Sequence, residues 1–398
     1  MALNLGTSRS VLRTMHNEQS VVKVKQVMGV GKIKIPVYKP TITDLEKQYV
    51  IACLDEEWIS SKGRFIPQFE QEFSNYLGIP HALSLSNGTT ALHAALMALG
   101  IGPQDEVIVP TLTYVASANC VSYTGARPVF VDCEPGTWNI SLKDVERVIT
   151  NRTRAIMAVH LYGLPCDMEG LMQIAKGHDL LVVEDCAEAI GSKIAGKHVG
   201  GFGDISSFSF YGNKTITTGE GGMVVTTNPT LAERVEHLKG QGLAKFREYW
   251  HDIIGYNYRM TNLCAAIGCA QMQRLTETLE RKRKIAELYR YELGGIVEFQ
   301  SEVPQMVHSH WMVCGLLPKA SMRDPLREAL LEFGIETRPV FYPLHSMPMY
   351  SGGFRRMPVS DDVSSRGINL PSYPELEDQQ IRWICKSVRD FVEKHSNH

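Results

Sequence analysis

Ser206-Ser207-Phe208-Ser209-Phe210-Tyr211-Gly212-Asn213-Lys214-Thr215-Ile216-Thr217-Thr218-Gly219-Glu220-Gly221-Gly222 is the stretch around which the rest of the chain is ordered. An apolar strand runs into a turn that holds one lysine, and a loop of Thr and Gly follows. A lysine set among aromatic and small residues loses hydration. Its amine then deprotonates more easily and can attack a carbonyl. An isolated lysine at a strand end is usually a solvated surface group. The segments on either side decide between the two readings.

Upstream, short apolar runs alternate with helical stretches. The runs are His81–Ser86, Glu106–Val109, Pro128–Val131, Ala155–Val159 and Leu180–Val183. They are continuous rather than alternating in polarity, as in strands buried on both faces of a mostly parallel sheet. Thr90–Leu99, Val115–Tyr123, Leu142–Ile149 and Met168–His178 read as the crossover helices between them. In such sheets ligands bind beyond the carboxyl ends of the strands, so chemistry is expected just after each run.

Four features fall at those ends. The first run leads into Ser86-Asn87-Gly88-Thr89-Thr90 at the start of a helix, where free N–H groups and hydroxyls form a phosphate cradle; an ordinary N-cap is the alternative. The second leads to Tyr114, a candidate for stacking on a flat ring, with core packing as its alternative. The fifth leads into Glu184-Asp185-Cys186-Ala187-Glu188. A carboxylate here, Asp185, suits a pyridine nitrogen that must stay protonated, or else caps the next helix. Ser209, ahead of Lys214, adds a second phosphate ligand. Together these residues specify a pyridoxal phosphate pocket with Lys214 as Schiff-base lysine. No Cys-x-x-Cys pair occurs, so no metal is expected.

Composition bounds the alternatives. The chain has 398 residues, 44% hydrophobic and 21% charged, with a net charge of −2. That length predicts two domains. The balance gives no field for nucleic acid or an anionic membrane, and no apolar run is long enough for a membrane span. Nine scattered cysteines predict reduced, buried thiols and a cytoplasmic setting. Residues 1–35 are polar without a clear period and read as a weakly ordered extension. Residues 36–257 are expected to form the large α/β domain and 258–398 a smaller α+β domain. In the latter, one long helix is expected over Asn262–Leu293, strands at Ile296–Phe299 and His310–Leu317, and helices at Pro325–Phe333 and Glu377–Lys394.

The motifs and their order resemble the DegT/DnrJ/EryC1/StrS family of pyridoxal-phosphate sugar aminotransferases. The resemblance rests on Trp58-Ile59-Ser60-Ser61-Lys62-Gly63, Asn87-Gly88-Thr89-Thr90-Ala91-Leu92, Pro110-Thr111-Leu112-Thr113-Tyr114, Val159-His160-Leu161-Tyr162-Gly163, Glu184–Ala189, Ser209–Lys214, Gly255–Asn262 and Arg338–His345. It covers the chain from about residue 36 onward. It implies fold type I, with a mainly parallel seven-stranded sheet and a smaller C-terminal domain. It also implies a homodimer with shared sites, in which Asn257 reaches the cofactor phosphate of the other subunit. Trp58 to Lys62 would lie near substrate or the interface, and Glu188 near the ring hydroxyl, where many relatives carry His or Gln. His160, Arg338 and His345 are the remaining candidates for contact with substrate, each with a purely structural role as its alternative. Within the family, the closer likeness is to members that aminate C4 of a GDP-linked 4-keto-6-deoxy sugar with L-glutamate as donor. A dTDP- or UDP-linked sugar, amination at C3, or a non-catalytic cofactor-binding scaffold are the alternatives.

Overall fold

The computed structural model describes residues 33–352 and 355–396. Most of the expected N-terminal extension thus lies outside the described residues. Ile35, at its end, is buried and bridges Ile335.

The strands of the large unit are β1 (His81–Leu85), β2 (Glu106–Pro110), β3 (Arg127–Val131), β4 (Thr153–Val159), β5 (Leu181–Asp185), β6 (Lys193–Ile194), β7 (Lys197–His198), β8 (Ile205–Ser209) and β9 (Gly222–Thr226). Seven of them form one sheet in the order β1-β9-β8-β5-β4-β2-β3. Neighbours are parallel from β8 to β3, whereas β9 runs antiparallel to both β1 and β8. β2, β8 and β9 are buried along their whole length; for β2 that is the environment its continuous apolar run predicts. The four expected crossover helices are present, as Gly88–Ala98, Ala116–Tyr123, Leu142–Val148 and Met168–Gly177. The first of these is buried over most of its length after the first turn and rich in alanine, which lets it lie close against the sheet.

Register sets the site. Val159 pairs with Asp185, Asp185 with Ser207, Ser209 with Gly222, and Gly222 with Leu85. The ends of β4, β5, β8 and β1 therefore lie in one row. The reversed β9 begins in that row, and a side chain on Gly222 would collide with the backbone of Asn87.

Beyond the sheet the chain adds β10 (Glu298–Phe299), β11 (Met306–Val307), β12 (Val313–Leu316), β13 (Arg338–Pro339) and β14 (Gly367–Leu370). β10-β12-β14-β13 form an antiparallel sheet, and β11 joins β6 and β7. The C-terminal helix spans Asp378–Ser396. The expected long helix is two, Asn262–Met272 and Leu275–Leu293. At the break, Arg274 leaves helical geometry and ties to Glu46 and to the carbonyl of Thr41. Leu275 and Leu279 pack with the large unit's aromatic cluster, and Ile285 and Ala286 with the small unit's core. A division inside this helix, rather than after residue 257, is the one we propose.

Phe73 is buried edge-on against Phe208 and Phe210, with ring centroids 5.0 and 5.4 Å away. Phe73→Ala should lower stability by about 3–5 kcal/mol, seen as a lower urea midpoint. Tyr291→Ala, at a ring 83% exposed, should change it by less than about 0.5 kcal/mol.

Candidate active site

The first turn is built by capping. Asn87 is extended, and its Oδ1 accepts the N–H of Thr90 at 2.9 Å, which starts the helix at Gly88. Gly88 faces Ser209 across the row of strand ends: a Cβ on Gly88 would lie 2.8 Å from the Ser209 Cβ. The helix N-terminus, Thr89 and the Ser209 hydroxyl thus meet at one place, with donors suited to an anion.

Lys214 sits in a turn that bonds back to its own strand. Its N–H donates to the carbonyl of Tyr211 at 2.9 Å, and Thr218 N–H to that of Phe210 at 2.9 Å. Distant segments hold the same turn. Tyr38 OH donates to the Lys214 carbonyl at 2.6 Å, and Trp311 Nε1–H to the Asn213 carbonyl at 2.7 Å. The Lys214 Nζ lies 3.9 Å from the centroid of the Trp311 ring. Among the described residues it forms no ion pair. Burial lowers its pKa, against the opposing pull of Glu188 and Asp185.

Asp185 and Glu188 supply the acid side. Adjacent residues on a strand face opposite ways, so Glu184 and Asp185 part company. Asp185 Oδ2 accepts the Ser117 hydroxyl at 2.7 Å, and Oδ1 accepts the N–H of Ala187 at 3.1 Å. Burial raises the Asp185 pKa, while Ser117, Ala187 N–H and Lys214 pull it back. Glu188 Oε2 accepts the N–H of Tyr162 at 2.7 Å. Burial pushes Glu188 up to about 7, although Lys214 and the Tyr162 N–H oppose the rise.

The other candidates divide. Tyr114 is 58% exposed, with Phe341 at 5.8 Å, so one face is free to stack on a ring. Trp58, Lys62 and Asn257 are exposed on this single chain. The Trp58–Lys62 loop is anchored by the buried Asn262, whose Nδ2–H donates to the Trp58 carbonyl at 2.7 Å. Arg338 is exposed in β13 and pairs with Glu336 at 3.4 Å.

His160 does not line the site. It is fully buried, its Nε2 lies 3.1 Å from Glu184 Oε2, and its Nδ1 accepts the N–H of Cys166 at 3.0 Å. That leaves neither nitrogen for a substrate. Glu184 also accepts the N–H groups of Gly200, Phe202 and Gly203, each at 2.7 Å. Burial alone would raise the Glu184 carboxyl, but His160 and these N–H groups outweigh it and hold the pKa low. His160, Glu184 and Cys186 sit close together, and the first two are already bonded to each other and to backbone N–H groups. His345 is likewise engaged, with Nδ1 2.8 Å from Thr111 Oγ1 at the end of β2 and Nε2 3.3 Å from Asp361. It fastens the small unit to the large one.

Four residues that meet the site are absent from the sequence expectations: Ser117, Tyr162, Trp311 and Tyr38. Tyr162 is a buried non-glycine residue at φ 56°, and its ring lies nearly parallel to those of both Trp311 and Phe341. Its place inside the Val159–Gly163 motif is the one signal that pointed to it. Ser117 carries no sequence signal beyond its helix, and Trp311 and Tyr38 come from remote segments.

The residues present fit pyridoxal phosphate. The narrow Gly88–Ser209 contact leaves bare N–H groups for a phosphate, and a desolvated amine stands near a buried, hydrogen-bonded carboxylate. The raised Glu188 gives a testable sign. Between its ordinary 4.5 and about 7 the folded protein holds a proton that the unfolded chain has released. The contribution of Glu188 to stability therefore falls as pH rises through that window. Protein stripped of cofactor should lose on the order of 3 kcal/mol between pH 4.5 and 7 relative to Glu188→Gln, measured by urea unfolding at each pH.

The family model for DegT/DnrJ/EryC1/StrS aminotransferases matches residues 40–389. A GDP-perosamine synthase of Escherichia coli O157:H7 is 56% identical over 90% of this chain and 98% of its own length. One from Vibrio cholerae is 48% identical over 90% of this chain and 99% of its own. Among solved structures, a putative sugar aminotransferase from Streptococcus pneumoniae in its PMP form superposes with a TM-score of 0.87 at 28% identity, covering 91% of this chain and 100% of that one. With the family match spanning most of its length, this chain belongs to the DegT/DnrJ/EryC1/StrS aminotransferase family and is a pyridoxal-phosphate-dependent transaminase.

Proposed function

We propose that the chain moves the amino group of L-glutamate to C4 of a nucleotide-linked 4-keto-6-deoxy sugar in the cytoplasm. The acceptor is GDP-4-keto-6-deoxymannose and the product GDP-perosamine. The observation that carries this assignment is the 56% identity, along nine-tenths of the chain, to a GDP-perosamine synthase. Retention of Lys214 supports amino transfer over a non-catalytic scaffold.

Asn87, Gly88, Thr89 and Ser209 would hold the cofactor phosphate, Tyr114 would stack on the ring, Asp185 would keep the ring nitrogen protonated, and Glu188 would serve beside the ring hydroxyl. Bound pyridoxal phosphate supplies the electron sink that makes a neighbouring C–H bond acidic. Lys214 does the proton work. With the cofactor bound, its amine would take the proton from the α-carbon of glutamate and pass it to the cofactor. In the second half it would take a proton back from the cofactor and place it on C4 of the sugar. A lowered pKa suits an amine that must act as base and acid in turn. Trp58, Lys62, Arg338 and the backbone beside His345 frame the approach for the nucleotide.

The working form is a homodimer. Leu243, Phe246, Tyr249, Trp250, Ile253 and Ile254 are exposed apolar side chains on the loop leading to Asn257. Apolar exposure on this scale marks an interaction surface, and a second copy covering it would bring Asn257 to the other site.

Purified protein should show a visible band from cofactor joined to Lys214 that bleaches on adding L-glutamate, and Lys214→Ala should lose turnover altogether. Near-normal turnover in that variant would sink the mechanism. GDP-, dTDP- and UDP-linked 4-keto sugars, compared by kcat/KM, should rank GDP first; equal rates would remove the nucleotide assignment.

A further inference from the structure

Trp311 enters the site from the small unit, just before β12. It is buried, and three separate contacts fix it. Its backbone N–H donates to the Tyr162 carbonyl at 3.0 Å, its indole N–H donates to the Asn213 carbonyl at 2.7 Å, and its ring lies nearly parallel to that of Tyr162 at 6.0 Å. A ring held this way cannot swing aside without losing its bond to Asn213 and its contact with the Tyr162 ring. Its face is what the Lys214 Nζ meets, 3.9 Å from the centroid.

That contact has a definite chemical sense. The negative face of an indole attracts an ammonium and does nothing comparable for a neutral amine. Because the indole N–H bonds to Asn213, the residue before Lys214, ring and lysine turn are held as one unit. We propose that Trp311 is a positioning residue for Lys214, a resting place against which the released amine is held and kept protonated between its two proton transfers. This rests on the reading of Lys214 as the lysine that carries the cofactor and moves the proton.

The charged groups facing the amine are Asp185 and Glu188, from the end of β5 and the turn after it. On the far side, Arg274 lines the small cavity behind the Lys214 turn but is neutralised by Glu46. Tyr38 touches only the Lys214 carbonyl. The two carboxyls and the indole thus favour the ammonium, while burial favours the neutral amine. Removing the indole tips that balance one way.

The test uses the protein stripped of cofactor, so it does not depend on turnover. The rate at which an amine-selective reagent labels Lys214, located by peptide mass spectrometry, is followed against pH. Trp311→Leu keeps the site apolar but loses the π face. Its labelling midpoint should fall by about half to one and a half pH units. Trp311→Phe keeps a ring face and should recover most of the fall. Global replacement of tryptophan by mono-, di- and trifluorotryptophan preserves shape, so it covers the case in which Trp311→Leu does not fold. The midpoint should then drop stepwise with fluorine number. A midpoint unmoved by fluorination, or equal in Trp311→Leu and wild type, overturns the proposal. With cofactor restored, the pH profile of glutamate-driven bleaching should shift in the same direction. If labelling shifts while no cofactor binds at all, the transaminase reading fails and the Trp311 contact stands. If turnover is normal and labelling does not shift, the reverse holds.

Discussion

Holding one half-buried amine in an apolar setting without a direct carboxylate partner is the constraint on which this structure depends. A buried ammonium paired tightly to a carboxylate would be stable and chemically inert. Lys214 has two carboxyls near enough to influence it, but it forms no ion pair among the described residues. Its amine instead meets an aromatic face. The cost of desolvation lowers its pKa toward the range where it can both take and give a proton.

Such an arrangement holds only if everything around it is stiff. The lysine turn is tied to its own strand, to Tyr38 near the start of the described chain, and to Trp311 in the small unit. Behind the site, Glu184 points away from the cofactor face and gathers four donors, His160 among them. A buried carboxylate satisfied in this way is a fixed post. It holds the end of β5, and therefore Asp185, without taking part in the chemistry. His345 does similar work between the units through Thr111.

Much of this was legible in the order of residues. Continuous apolar runs separated by helical stretches announce a buried parallel sheet, because strands covered on both faces cannot alternate in polarity. Once the sheet is granted, functional residues must lie at strand ends, which is why Asn87, Asp185, Ser209 and Lys214 could be picked out. For His160 the same rule offered a place in the site, but the alternative, a satisfied core histidine, is what the structure holds. It follows a strand, but at that end the backbone carries its ring to the buried side with Glu184. The long helix over Asn262–Leu293 was expected whole because periodicity does not register a break made by Arg274 reaching to Glu46.

The sequence alone determined the class of sheet and the row of polar residues at its strand ends, and it singled out Lys214. Those depend on local pattern, on hydration, and on the short reach of one strand end to the next helix. Tertiary structure decided the rest. It put Trp311 against Lys214, Ser117 on Asp185, and Tyr162 on Glu188. It set Glu188 near neutrality by burial. Nothing in the order of residues shows how deeply a carboxyl is buried or which distant ring will face an amine. Both are properties of packing between segments that the chain brings together only when it folds.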